Sequence, residues 1–115
     1  MAEVTVFEKI LKKEIPANIV FENPQVIAFK DINPQAQIHI VFIHKQKSKD
    51  VAEMMENAPG QVLEIFTAIH MFTKMQGLDA TGYRIVTNKG TEGGQTVFYT
   101  HFHLLAGELL GRFGK

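Results

Sequence analysis

Tyr99, His101 and His103 stand at every second position near the end of the chain. Imidazoles exchange protons near neutral pH, ligate metals, and when neutral attack electrophilic phosphorus. On a β-strand, alternate side chains share a face. Tyr99, His101, His103 and Leu105 would then point one way, and Phe98, Thr100, Phe102 and Leu104 the other. The second set is apolar apart from one β-branched threonine, so it reads as the core side. The phenol and two imidazoles would form a row on the open side, neighbours roughly 6–7 Å apart.

Gly93, Gly94, Gln95 and Thr96 lie just ahead of this run. Backbone N–H groups in a glycine-rich turn can converge on an anion, and the amide and hydroxyl add donors. A phosphate held there would sit beside the histidine row. The competing chemistry is a three-histidine zinc centre built from His39, His101 and His103. No carboxylate stands next to a histidine in the sequence to support it, and it leaves the glycine turn unexplained. The expectation is therefore no metal and no cofactor. His44 reads as a loop residue and His70 as a helix-surface residue.

The elements that must position this site can be placed from capping and periodicity. Thr5 to Glu8 has the form of a capping box. Val6, Phe7, Ile10 and Leu11 follow at helical spacing, predicting a short helix to about Lys13, with Pro16 beyond it. Ile19–Glu22 and Val26–Lys30, split by Asn23 and Pro24, predict a hairpin. Ile38–Ile43 is an apolar run suited to a buried strand.

Asp50 to Glu53 repeats the capping-box pattern, and Pro59-Gly60 should end that helix or start another. Val62, Ile65, Phe66, Ile69 and Phe72 mark a helical face that Gly77 terminates. Met54, Met55, Met71 and Met75 read as packing or interface residues. Tyr83–Thr87 and about Thr96 to Leu105 predict the last two strands. The order implies an α+β fold with five strands in a mainly antiparallel sheet, one short N-terminal helix and one longer central helix.

Composition narrows the function classes. The 115 residues suit one domain, with 45% hydrophobic and 21% charged residues. Twelve basic and twelve acidic residues balance, which argues against a nucleic-acid or anionic-membrane surface. The densest basic stretch, Lys45 to Lys49, is short. Without cysteine there is no disulfide, thiolate metal site or thiol nucleophile. No secretory signal or membrane-length apolar run is apparent, so a cytoplasmic protein is expected.

The run from Gly94 to His103, GQTVFYTHFH, resembles the signature of the histidine triad nucleotide hydrolases. Phe7–Ala17, Phe29–Ala36 and Gly82–Asn88 resemble the Hint branch, and nearly the whole chain up to Gly107 follows that pattern in order. The resemblance implies a HIT-like fold, a homodimer, and cleavage of purine nucleoside phosphoramidates through a nucleotidyl-histidine intermediate. It implies His101 as the nucleophile, His103 as a phosphate contact and His39 as an upstream histidine of the same site. Asp31 would hold the ribose hydroxyls, and Phe7, Ile10, Phe29 and Ile32 the base. Asn88, Gly94, Gln95, Thr96 and Val97 would surround the phosphate and leaving group.

One position departs from the pattern. Tyr99 stands where the family has its first histidine. The family resemblance implies that the backbone carbonyl there orients the nucleophile, and tyrosine keeps a carbonyl. The phenol is expected to retune the site by crowding the leaving group, without abolishing activity. The C-terminal run Glu108–Lys115 is where a partner chain is expected to contribute, although it lacks the family's frequent tryptophan. Alternatives are a dinucleoside polyphosphate hydrolase, and a nucleotide-binding sensor or scaffold with weakened catalysis.

Overall fold

Thr5 opens the first helix, α1 (Val6–Leu11), through the expected reciprocal cap. Its hydroxyl accepts from the Glu8 N–H at 3.3 Å, while its own N–H donates to Glu8 Oε1 at 2.9 Å. These contacts come from a computed structural model that describes residues 4–114. The helix ends two residues short of Lys13, which adopts a left-handed conformation with φ 59°. Lys115 of the C-terminal run lies outside the described residues.

β1 (Ile19–Glu22) and β2 (Val26–Lys30) form the expected hairpin, and β3 (Ile38–His44) follows. Asn23 Oδ1 makes the hairpin turn by accepting from the N–H groups of Gln25 and Val26, the short-range bonding that favours asparagine in turns. Asp50 caps α2 (Val51–Asn57) through its carboxylate. The second half of that capping box is displaced, because Glu53 reaches the Lys49 N–H instead of Asp50. Pro59 and Gly60 start a separate helix, α3 (Gly60–Met75), so the central helical region is two helices. Gly77, at φ +71°, closes it with the left-handed residue that a helix C-terminus favours.

β4 (Tyr83–Val86) and β5 (His101–Ala106) complete a wholly antiparallel sheet of order β1-β2-β3-β5-β4. α3 packs its Ile65, Ala68, Ile69 and Phe72 on one face, against Phe42, Phe102 and Leu104. The other face also buries apolar side chains, since Phe7 and Ile10 of α1 cover Ile27, Phe29, Val41 and Ile43. Two covered faces explain why Ile40–Ile43 of β3 is an unbroken apolar run rather than an alternating one.

The last strand starts at His101, five residues later than expected. Residues 96–100 are held off the ladder by side bonds to the segment before α2. Thr100 N–H donates to Ser48 O at 2.9 Å, and the two hydroxyls meet at 2.6 Å. Period-two alternation therefore does not apply there. Phe98 is 46% exposed although it was expected in the core, and Tyr99 is 1% exposed although it was expected on the open side.

Because α1 is only six residues long, its cap carries much of its local stability. Thr5→Ala should lower unfolding free energy by about 1 kcal/mol, measured by urea titration. It should also loosen Phe7 in the second core.

Candidate functional site

β5 sends His101 and His103 to the face shared with Val41 and Ile43 of β3, which are their direct partners across the ladder. His39 lies one pair further along β3, opposite Leu105. Three imidazoles thus cluster, with ring centroids 5.0 Å apart between His39 and His103 and again between His101 and His103. That is tighter than strand spacing alone suggested. Phe7 of α1 closes the far end, its ring edge-on to His101 at 4.9 Å.

Each ring has a hydrogen bond that selects its tautomer. The Gln35 N–H donates to His39 Nδ1 at 3.0 Å, so neutral His39 carries its proton on Nε2. That N–H faces His103 Nδ1 at 2.8 Å, which must accept and leaves the His103 proton on Nε2. His101 Nδ1 donates to the Tyr99 carbonyl at 2.7 Å. Its Nε2 therefore bears a lone pair, and no hydrogen bond engages that atom among the described residues. The site presents one nucleophilic nitrogen beside one N–H donor.

Electrostatics keep the rings neutral. Burial lowers the His101 pKa, against raising effects of the Tyr99 carbonyl and Asp31. Burial also pulls His103 down to about 4, helped by repulsion from His101 and His39 and opposed by Asp31. His39 is lowered by burial against the attraction of Asp31. A neutral imidazole is the form that can attack.

Asp31 directly follows β2 and lies opposite His39 in the continuing register, its N–H donating to the His39 carbonyl at 3.0 Å. Its Oδ1 accepts from the Asn33 N–H at 2.8 Å, and Oδ2 lies 3.5 Å from His39 Nε2. The carboxylate that sequence proximity did not supply is thus brought in by the fold. Asp31, His39 and His103 place ligand atoms within 4.8 Å of one another. They could hold a divalent cation if it displaced the proton between the two rings. His101 is not in that set, unlike the three-histidine arrangement read from sequence.

The glycine turn does form, but much of its polarity is spent on itself. A Cβ at Gly93 would collide with the Lys89 carbonyl, and Gly94 has φ +83°. Gln95 is buried: its Oε1 accepts from Gly90 N–H, and its Nε2 donates to the carbonyls of Lys49 and Val97. Gln95 therefore staples the turn rather than facing a ligand. Asn88 Nδ2 donates to Gly93 O at 2.6 Å, again within the turn. Thr96 is exposed, and Val97 packs against the second core.

The expected base-binding residues divide similarly. Phe7, Ile10 and Phe29 are packed in the second core, whereas Ile32 is 92% exposed on the loop after β2. Tyr99 stays on the histidine side of the sheet but is not open in the row. Its phenol is buried beside Phe7 and donates to the His44 carbonyl, so it does not crowd the open side. His44 is not a loop residue: it ends β3, buried, with Nδ1 accepting from Gln46 N–H and Nε2 3.0 Å from Glu64. His70 is exposed on α3, as expected. Gln35 escaped the sequence reading because it acts through its main chain, which leaves no side-chain signal.

Comparison with known proteins follows this geometry. The HIT domain family matches residues 12–109. The purine nucleoside phosphoramidase of Escherichia coli K12 is 40% identical over 114 residues, covering 96% of this chain and 93% of that protein. A HIT-like protein of Rickettsia prowazekii is 42% identical over 106 residues, covering 91% and 88%. The structure of a HIT family hydrolase from Clostridium thermocellum superposes with TM-score 0.89 at 40% identity, covering 97% of both chains.

The lowered imidazole pKa values have a defined pH consequence. Between about pH 4 and 6.5 the unfolded chain binds more protons at His103 than the folded one, so stability rises with pH across that window and falls on acidification. Urea titrations from pH 7 to 4 should show that loss, and His103→Asn should flatten it.

Proposed function

The chain belongs to the HIT domain family, in its Hint-like branch, and from that premise we propose that it hydrolyses purine nucleoside phosphoramidates by double displacement at phosphorus. The observation that carries this reading is the His101 ring, held at Nδ1 by the Tyr99 carbonyl with Nε2 unprotonated. Nε2 attacks the α-phosphorus, forming a P–N bond as the substrate's P–N bond breaks, and the amine leaves with a proton from solvent. Water then cleaves the nucleotidyl-imidazole, returning His101 and releasing the nucleoside monophosphate.

The remaining residues take roles consistent with their positions. His103 Nε2–H donates to a non-bridging phosphoryl oxygen, where charge develops. His39 sets the tautomer of His103. Asp31 accepts from ribose hydroxyls, and Ile32 with the rim of Phe7 and Phe29 contacts the purine face. Thr96, exposed at the end of the turn, meets the phosphate through its hydroxyl, while Gln95, Asn88 and Val97 hold in place a turn whose Gly94 and Gln95 N–H groups donate to the carbonyls of Thr91 and Gly90.

The same reading includes a homodimer and a cytoplasmic setting. No described helix is long and apolar enough to cross a membrane. Leu63, Met71 and Met75 make an exposed apolar stripe along α3, and β4 is an edge strand of the sheet. A second copy paired there would cover both. Met71→Glu should convert a dimer to a monomer, as read by light scattering after size-exclusion chromatography.

His101→Ala should lose on the order of 10³-fold or more in kcat/KM on an adenosine phosphoramidate. Rapid alkaline denaturation of the parent protein during turnover of substrate labelled at the α-phosphorus should trap label on the protein, because the phosphorus–imidazole bond survives base, and the variant should trap none. Turnover by the variant at the parental rate would refute the nucleophile assignment. Faster cleavage of a dinucleoside polyphosphate than of the phosphoramidate would favour that substrate class instead.

A further inference from the structure

The residue that departs from the family pattern is held at both ends, and one of the two bonds is to the nucleophile. The Tyr99 carbonyl accepts from His101 Nδ1 at 2.7 Å, and its phenol donates to the carbonyl of His44. Between those bonds Tyr99 sits outside any strand, in a segment that the sheet ladder does not hold. The peptide that carries the Tyr99 carbonyl is held at its Thr100 N–H by the Ser48 carbonyl, at 2.9 Å, and the Tyr99 side chain supplies a second anchor on the other side of its Cα. That second anchor is the end of β3, itself fixed, since His44 pairs with Glu64 of α3 and its Nδ1 accepts from the Gln46 N–H.

We propose that Tyr99 is a positioning residue whose phenol, latched to the His44 carbonyl, aims its own carbonyl at His101 and so keeps the His101 proton on Nδ1. The inference rests on the reading of His101 as nucleophile for its catalytic consequence, but the tautomer it assigns is independent of any substrate. Groups packed around the latch agree with this role. The Phe7 ring lies against both Tyr99, at 6.1 Å between centroids, and His101, at 4.9 Å. Burial and the nearby Glu8 carboxylate raise the phenol's pKa, so the hydroxyl stays protonated and able to donate. The departure from histidine thus exchanges one side-chain anchor for another while preserving the main-chain contact.

The test combines a spectrum with a kinetic split. In ¹⁵N-histidine-labelled parent protein near pH 7.5, His101 should appear as the Nδ1–H tautomer. Observation of Nε2–H as the main form would overturn the proposal without reference to any variant. In Tyr99→Phe the phenol anchor is gone but the packing ring remains. That variant should show a mixed His101 tautomer, with kcat on an adenosine phosphoramidate lower by up to about 10²-fold and KM changed less than kcat.

Thr100→Val is the control, because it removes the adjacent buried hydroxyl pair with Ser48 without touching the latch. It should lower thermal stability and keep the parental tautomer. A Tyr99→Phe protein that retains both the parental tautomer and kcat would refute the latch, as would an equal tautomer change in Thr100→Val. Absence of phosphoramidase activity in the parent would instead overturn the proposed function, leaving the spectra to judge the latch alone.

Discussion

One hydrogen bond organises this site: the His101 Nδ1–H donated to the Tyr99 carbonyl. An imidazole has two nitrogens, and only the unprotonated one is a nucleophile. If the ring flipped tautomer, the buried Tyr99 carbonyl would lose its partner, at a cost of about 1–3 kcal/mol. At room temperature that corresponds to a preference of about fivefold to somewhat over a hundredfold for the reactive form. No charged group is needed to activate the ring. Positioning does the work, and the fold is arranged to supply it.

The supply comes from covering both faces of the sheet. α3 seals one side. On the other, six residues of α1 suffice to bury Phe7 and Ile10 against β2 and β3 and to set a wall beside His101. That wall helps to bury His101, and burial is the main reason that the pKa values of His101 and His103 fall. Repulsion among the three rings adds to it at His103. Neutrality thus comes from burial, and orientation from the main-chain partners of the rings, the Tyr99 carbonyl and the Gln35 N–H. Asp31 works against this depression, and lies near enough to His39 to temper it while remaining open to hydroxyl donors.

Much of this was legible in the sequence, and the failures have definite causes. The α1 cap, the first hairpin and the β3 run follow from local rules, so Thr5, Asn23 and the apolar stretch at Ile38–Ile43 pointed correctly. His101 and His103 share a face because both lie within β5. Tyr99 packs on that same side, in the second core, but is buried rather than open, because the pairing of Thr100 with Ser48 takes residues 96–100 off the ladder, and no short-range pattern encodes that contact across 52 residues. Gln95 reads as a ligand donor from its type but is consumed by main-chain partners in three segments. The approach of Asp31 to His39 follows from the register of β2 on β3, whose next pair is Asp31 opposite His39, and that register is not given by the spacing of the two residues in the chain.

The central claim is that phosphorus passes through a covalent bond to His101, which means two in-line displacements rather than one. The stereochemical course of hydrolysis reads this directly. An adenosine phosphoramidate made chiral at phosphorus with sulfur, cleaved in ¹⁸O-water, should give a product of retained configuration, because each displacement inverts the centre once. Net inversion would mean that water attacks in a single step, and would contradict the account.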